Sequence, residues 1–215
     1  MQHVIQPQKA LTAHALESDF QRGSVAMHFF GRHAAVTSGR GVGAEEFVLG
    51  GDDVFDGGGV LGLLQRKVAI TLSDTFVVAR WRAELLDFIT QSADIVLANE
   101  AELGALFETE DFDVAAAKLA AIVEIAAVTR GEHGSVVIKG DERVVVAAYP
   151  VAKVIDTTGA GDQYAAGFLL GLARGLTLEE AGKLGSLAAS EVIAHWGPRP
   201  MVKLVDLAKE NGLKL

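Results

Sequence analysis

Short apolar runs alternate with helix-like segments from Lys67 onward, and this alternation limits the possible folds more than any other feature. Buried strands are predicted at 67–72, 94–98, 125–129 and 151–155. Helical spacing predicts helices at 77–90, 99–107, 112–122, 160–174, 178–195 and 202–211. Apolar runs also flank Gly140 and Asp141, which is typical of a β-hairpin. The pattern predicts an α/β domain with a mostly parallel central sheet flanked by helices and an antiparallel hairpin excursion.

The first part of the chain follows a different pattern. Residues 1–66 show no sustained period of 2 or 3.6, and a stretch at 50–59 is rich in glycine and aspartate. We therefore predict an irregular or divergent N-terminal segment at 1–66, followed by a regular domain portion at 67–215.

Composition excludes several classes of function. The formal net charge of −9 argues against nucleic acid or an anionic membrane as a partner, because phosphates attract a surplus of Lys and Arg. The absence of cysteine excludes disulfides, thiolate catalysis and cysteine-ligated zinc. No apolar run has the length of a membrane span, and we expect a cytoplasmic protein that acts on a small molecule.

The stretch DTTGAGDQYAAGFL at 156–169 is the strongest candidate for chemistry. Glycines at 159 and 161 allow a sharp turn, and the helix that follows directs unpaired N–H groups outward, which favours an anion. Asp162 then lies in the first turn, where a carboxylate can accept a proton from an attacking hydroxyl. The alternative is a capped helix start, in which Asp156 or Thr158 is the cap and Asp162 only complements the helix dipole.

Three further elements have both functional and structural interpretations. Asn99 and Glu102 in NEAEL suit Mg²⁺ held through waters, and they equally suit a capping box. TRGEHG at 129–134 could lie along nucleotide phosphates, with Arg130 paired to one, or form a plain turn with a solvated arginine. The small-residue helix before Gly197 could form a wall of a base pocket or be a close-packed helix with a glycine C-cap.

Together these elements resemble the ribokinase-like family, the PfkB-type carbohydrate and nucleoside kinases. TLSDTF at 71–76 and ANEAEL at 98–103 are most similar to its bacterial adenosine kinase and sugar kinase branch. The elements that carry the resemblance are, in chain order, Asn99-x-x-Glu102, Thr129-x-Gly131, Asp-Thr-Thr-Gly-Ala-Gly-Asp at 156–162 and the small-residue helix before Gly197.

The resemblance implies a ribokinase-like fold and transfer of a phosphoryl group from ATP to a hydroxyl of a nucleoside or sugar. Gly159, Ala160 and Gly161 would form the anion hole for the transferred group, and Asp162 would be the base. Asn99 and Glu102 would organise Mg²⁺ and its waters.

The resemblance also assigns the remaining ligand contacts. Thr129, Gly131 and Gly134 would line the ATP site, and Ser186 falls near the position that contacts adenine. Asp156 and Thr158, with carbonyls near Gly197, would match a monovalent cation loop that binds K⁺.

The resemblance covers residues 67–215, the nucleotide-binding half, and the acceptor-binding half is not recognisable in residues 1–66. That segment is either divergent or a mispredicted start. Three hypotheses stay open: an active kinase, a catalytically impaired nucleotide-binding fragment that lacks the acceptor site, and a structural α/β domain. A sheet face left uncovered by a missing half would favour association, such as a homodimer.

Overall fold

The computed structural model describes residues 67–213, together with three short strands nearer the N-terminus. These strands are β1 (Met27–Phe29), β2 (Ala34–Ala35) and β3 (Glu46–Phe47). β2 and β3 pair with each other, and β1 pairs antiparallel with the first strand of the regular domain. Among the three described N-terminal strands, β1 therefore joins the main sheet. The Gly/Asp-rich stretch at 50–59 lies outside the described residues.

The main sheet contains six strands in the order β1-β4-β5-β6-β7-β8. The strands beyond β1 are β4 (Val68–Thr71), β5 (Ile95–Asn99), β6 (Ile125–Thr129), β7 (Ser135–Lys139) and β8 (Glu142–Val146). β4, β5 and β6 are parallel, whereas the hairpin strands β7 and β8 and the edge strand β1 are antiparallel to their neighbours. The sheet is therefore mixed, and its parallel centre and hairpin confirm the predicted α/β class.

Seven helices occur in the described part of the chain. They are α1 (Thr75–Arg80), α2 (Arg82–Ser92), α3 (Glu100–Phe107), α4 (Phe112–Ala120), α5 (Ala160–Ala173), α6 (Leu178–Ile193) and α7 (Leu204–Glu210). The helix predicted at 77–90 is interrupted, because Trp81 leaves helical geometry at φ −118° and ψ 27°. Among these helices, none has the length and apolar character that a bilayer crossing needs.

Helices cover both faces of the sheet. Successive residues of a strand point to opposite sides, so alternate side chains pack against different sets of helices. Val96 and Val128 pack on the side of α1 to α4, and both are fully buried. Leu97 and Ala127 pack on the side of α5 and α6. Each fully buried aliphatic side chain stabilises the fold by about 1.5–3 kcal/mol relative to an exposed one. This arrangement fixes the strand ends between two helical layers.

The strand predicted at 151–155 is wrong. The segment has no regular secondary structure, and Val154 and Ile155 are 51% and 38% exposed. The Ile155 amide donates to the carbonyl of Ile193 at 2.8 Å, so the segment is bonded to the end of α6. Its apolar residues therefore lead into the glycine turn along a helix end, and they are not part of the described sheet.

α5 and α6 pack closely because each has a glycine at the contact. A Cβ atom on Gly167 would lie 2.7 Å from the carbonyl oxygen of Leu184, and one on Gly185 would lie 2.8 Å from that of Tyr164. The close packing predicted for the small-residue helix is confirmed. The predicted glycine C-cap is wrong, because α6 ends at Ile193 with Ala194 as its C-cap and Gly197 lies beyond it. This contact also fixes the start of α5, where the candidate catalytic residues lie.

Candidate functional site

The predicted site residues meet at one edge of the sheet. β5 and β6 are parallel and end at Asn99 and Thr129, which are paired in register. β4 ends beside them at Thr71. Open α/β sheets bind ligands beyond the carboxyl ends of their strands. The fold therefore places Asn99, Glu102 and Thr129 at the edge where a ligand is expected.

Asn99 and Glu102 form a reciprocal capping box at the start of α3. The Glu102 amide donates to Asn99 Oδ1 at 2.8 Å, and the Asn99 amide donates to Glu102 Oε2 at 2.9 Å. Asn99 Nδ2 donates to Glu102 Oε1 at 2.7 Å. The capping interpretation is confirmed. The same contacts hold the carboxylate in one orientation at the sheet edge, which a role in ion binding also requires.

The Glu102 carboxylate lies in a strongly acidic environment. Only 5% of the residue is exposed, and this burial is the main reason why its pKa is raised. The hydrogen bond from the Asn99 backbone lowers the pKa, and the charges of Asp74 and Asp162 raise it further. Three carboxylates therefore act on one another here. Within the described residues, no three such side chains lie close enough together to hold a metal ion directly. The Glu102 carboxylate fits Mg²⁺ that is held through its waters.

Asp74 is a member of this group that the sequence did not identify. It is the N-cap of α1, and its carboxylate accepts a hydrogen bond from the Phe76 amide at 2.6 Å. The TLSDTF stretch contained the signal, since an aspartate directly before a helical run is a common cap. Its effect on Glu102 depends on the packing of α1 near α3, which sequence spacing does not reveal.

The glycine turn before α5 is not capped by a side chain. Gly159 occupies the N-cap position with a φ of 80°, so the alternative interpretation, in which Asp156 or Thr158 caps the helix, is wrong. The Asp156 carboxylate instead accepts from the Thr158 amide at 2.9 Å and from the Gly197 amide at 3.0 Å. Asp156 therefore joins the turn to the loop that follows α6.

These hydrogen bonds lower the pKa of Asp156. The largest cause is the side-chain hydrogen bond with Thr158, followed by the backbone amides of Thr158 and Gly197 and by the charge of His195. The ionised carboxylate of Asp156 and the hydroxyl of Thr158 beside it are the hard oxygen donors that a monovalent cation prefers. The residues predicted for K⁺ thus fit such a cation.

Gly159 and Gly161 lack a side chain for different reasons. A Cβ on Gly159 would lie 2.6 Å from Pro198 Cβ, so the turn needs glycine both for its φ and for this close contact. Gly161 is helical, and a Cβ there would meet nothing within 4 Å. The space beside Gly161 is therefore open to a ligand that approaches the backbone.

The first turn of α5 offers two free amides to such a ligand. Within the described part of the chain, the N–H groups of Gly161 and Asp162 have no bonded partner, whereas Ala160 donates to the Thr157 carbonyl at 3.2 Å. The Asp162 side chain is exposed beside them. Free amides and a positive dipole end bind anions, and a carboxylate at the same place can accept a proton.

Arg130 differs from the structural interpretation of TRGEHG as a plain turn with a solvated arginine. Its guanidinium group lies 2.8 Å from Glu100 Oε1 and 4.0 Å from the ring centroid of Phe112. It is therefore not an unpaired solvated side chain, and its contact with a phosphate stays a prediction. The neighbouring Thr129 hydroxyl donates to the Ala98 carbonyl at 3.4 Å, so both residues fasten the end of β6 to the region around Asn99.

Gly134 and Ser186 both contact the segment after β8. A Cβ on Gly134 would lie 2.0 Å from the carbonyl oxygen of Val146, so only glycine fits. The Ser186 hydroxyl accepts from the Tyr149 amide at 2.9 Å and lies 3.3 Å from the Ala147 carbonyl. Gly131 instead sits in a short 3₁₀ turn, where a Cβ would meet open space. Structural contacts therefore account for Gly134 and Ser186, and the space beside Gly131 remains available to a ligand.

The mixed α/β sheet, with helices on both faces and the candidate site at the carboxyl ends of its parallel strands, matches the ribokinase-like fold. Residues 65–203 match the pfkB family of carbohydrate kinases, and the chain belongs to this family.

Solved structures and a sequence relative support this assignment. A probable sugar kinase from Rhizobium etli is 49% identical with a TM-score of 0.68, and the match covers 70% of this chain and 46% of that one. Adenosine kinase from Sinorhizobium meliloti is 53% identical with a TM-score of 0.67, and the match covers 68% of this chain and 45% of that one. An uncharacterized sugar kinase from Archaeoglobus fulgidus is 41% identical over 116 residues, which are 53% of this chain and 45% of that protein. Each match spans less than half the length of the relative.

Proposed function

We propose that this chain catalyses ATP-dependent phosphoryl transfer to a hydroxyl group of a nucleoside or sugar. The observation that carries the proposal is the open first turn of α5, where unpaired amides and the exposed Asp162 carboxylate lie near the buried Glu102. Phosphoryl transfer needs positioning and neutralisation of charge more than covalent chemistry, and this arrangement suits both needs.

Asp162 is proposed as the general base. Its carboxylate is exposed at the sheet edge, so an acceptor hydroxyl can reach it. Asp162 accepts the proton of that hydroxyl as the oxygen attacks the γ-phosphorus and the bond to the ADP oxygen breaks. The amides beside Gly161 stabilise the negative charge on the transferred group, and the turn at Gly159 and Ala160 aims them.

Asn99 and Glu102 are proposed to hold Mg²⁺ through its waters, and bound Mg²⁺ would neutralise the ATP phosphates. Thr129 and Gly131 lie at the end of β6, on the same edge, and are proposed to line the ATP phosphates. Gly134 and Ser186 shape the wall around residues 146–149, which we propose lies near the adenine.

Asp156 and Thr158 are proposed to bind K⁺ together with carbonyls near Gly197. The support is the lowered pKa of Asp156 and the bond that joins it to the Gly197 amide. We place the reaction in the cytoplasm, where ATP is available. The net charge of −9 supports a small-molecule acceptor over a nucleic acid.

The test is phosphoryl transfer from Mg-ATP to adenosine, ribose and fructose, measured in wild type and in Asp162→Asn. We expect wild type to phosphorylate at least one acceptor and the variant to lose at least about 100-fold in rate. Asp141→Asn is the matched control, since this exposed aspartate lies in the hairpin turn at the opposite edge of the sheet. Equal rates for wild type and Asp162→Asn would show that Asp162 is not the base.

A second candidate is a nucleotide-binding fragment that does not transfer phosphate. The matches span only 45% or 46% of the length of the relatives, which favours this candidate. Calorimetry with a non-hydrolysable ATP analogue separates the two proposals. Binding of the analogue without transfer to any acceptor supports the fragment, and absence of binding at millimolar concentration with Mg²⁺ and K⁺ contradicts both.

A further inference from the structure

The loop after α6 forms one wall of the glycine turn. Its Gly197 amide donates to Asp156 Oδ2 at 3.0 Å. Pro198 fills the space in which a Cβ of Gly159 would lie, 2.6 Å from that position. The position of this loop therefore determines where the backbone of Gly159 can lie, and through it the direction of the first amides of α5.

Glu191 contacts both ends of this loop. It lies in the last turn of α6, and its Oε1 accepts a hydrogen bond from the Met201 amide at 2.8 Å. The same oxygen lies 3.4 Å from Nε2 of His195, at the start of the loop. The other ring nitrogen of His195 lies 3.3 Å from the carbonyl of Trp196. One carboxylate is thus hydrogen-bonded to the end of the loop and lies against the imidazole ring at its beginning, where His195 Nε2 has no hydrogen-bond partner among the described residues.

The Glu191 and His195 side chains are largely buried, with 12% and 19% exposed. A buried carboxylate that loses its hydrogen bond pays the cost of its desolvation, so the bond from the Met201 amide restricts the loop. Other Glu side chains of α6 have no comparable position. Glu179, for example, is 55% exposed and forms an ion pair with Lys183 one turn away on the same helix.

We infer that Glu191, with His195, is a positioning residue for phosphoryl transfer, holding the loop of residues 195–201 against the glycine turn. Glu191 does not touch the reacting groups. It acts through Gly197 and Pro198 on the geometry of the turn, where the transition-state charge is stabilised. This inference rests on the proposed kinase activity.

The test compares Glu191→Ala, Glu191→Gln and the matched control Glu179→Ala. Glu191→Ala removes both contacts, whereas the amide oxygen of Gln can still accept from Met201. We expect Glu191→Ala to lower kcat by about 10- to 100-fold with a nearly unchanged KM for ATP, because the displaced turn acts on the transition state. Glu191→Gln should retain most of the activity, and Glu179→Ala should match wild type.

Trp196 provides a readout that is independent of activity. The chain has two tryptophans, so 5-fluorotryptophan labelling gives two ¹⁹F signals, and Trp196→Phe assigns them. Trp196 is 81% exposed and directly follows His195. We expect Glu191→Ala to shift and narrow the Trp196 signal as the loop is released, and the Trp81 signal to stay in place.

The inference is overturned if Glu191→Ala keeps the wild-type kcat and Trp196 signal. It is also overturned if activity falls only in proportion to the folded fraction measured by circular dichroism. If wild type transfers no phosphate to any acceptor, the proposed function fails, and the Trp196 signal alone then decides whether Glu191 holds the loop.

Discussion

Asn99 and Glu102 bond to each other in both directions, through two backbone amides and one side-chain amide. The pair lies where β5 ends and α3 begins, and it fixes a buried carboxylate at the carboxyl ends of the parallel strands. The capping box is therefore compatible with the ion-binding role proposed for the pair, because one set of contacts satisfies the helix start and orients the carboxylate.

The raised pKa of Glu102 predicts a pH-dependent cost to stability. Burial is the main cause, so the ionised form is disfavoured in the folded chain. The stabilising contribution of Glu102 is complete below its unfolded pKa and is lost as pH rises through the folded value. Gln can accept only one of the two hydrogen bonds that the carboxylate accepts from Asn99, so Glu102→Gln carries a loss of stability that does not depend on pH. The stability difference from wild type should shift in favour of the variant as pH rises from about 4 to 7. Urea unfolding without Mg²⁺ across this range measures the difference, and parallel curves would contradict the prediction.

Gly161→Ala should stabilise the fold and impair the reaction. A Cβ at this helical position meets nothing within 4 Å, so alanine should add about 0.4–1 kcal/mol to the free energy of unfolding. The same methyl group would occupy the space proposed for the transferred phosphoryl group, and activity should fall at least about 10-fold. Denaturant unfolding and the kinase assay are measured on the same preparation.

Gly167→Ala is the contrasting variant in the same helix. Its Cβ would lie 2.7 Å from the Leu184 carbonyl oxygen, and such overpacking should cost about 1–3 kcal/mol. If Gly161→Ala loses stability as Gly167→Ala does, the space beside Gly161 is not open.

Asp156→Asn should weaken the link between the glycine turn and the loop after α6. The carboxylate accepts from Thr158 and Gly197, and an amide can serve only one of these donors. Because these bonds lower the folded pKa, the stability that Asp156 supplies is present above its unfolded pKa and is lost as pH falls through the folded value. The stability difference between wild type and variant should therefore narrow from about pH 6 to pH 3. A constant difference would mean that the charge is unimportant.

Tyr164 should set part of the alkaline limit of stability. Burial is the main cause that raises its pKa to about 12, and its hydroxyl donates to Ser135 at 2.7 Å. Its contribution is complete below the unfolded pKa and is lost as pH rises from about 10 through the folded value. Tyr164→Phe should lower the free energy of unfolding by about 1 kcal/mol at neutral pH. Above pH 10, the variant should lose less stability with rising pH than wild type does. Tyrosinate absorbance followed together with unfolding checks both effects.

The strands and helices from Lys67 onward could be predicted because their signals are local. β6 matches its predicted range of 125–129, and Asn99 caps α3 as its sequence context indicates. The segment 151–155 misled the prediction, because its apolar residues favour a strand while its amide bonds to the end of α6. Apolar character alone does not specify the element against which a segment packs.

The sequence determined the order of the motifs, the class of fold and the residues capable of carrying the proposed chemistry, since turns, caps and apolar periodicity depend on near neighbours. Only the tertiary structure decided which of them interact. It placed Arg130 on Phe112, Pro198 against Gly159 and the charge of Asp74 near Glu102. These contacts join residues that are distant along the chain, and they arise when parallel strands bring their carboxyl ends to one edge and two helical layers close over it.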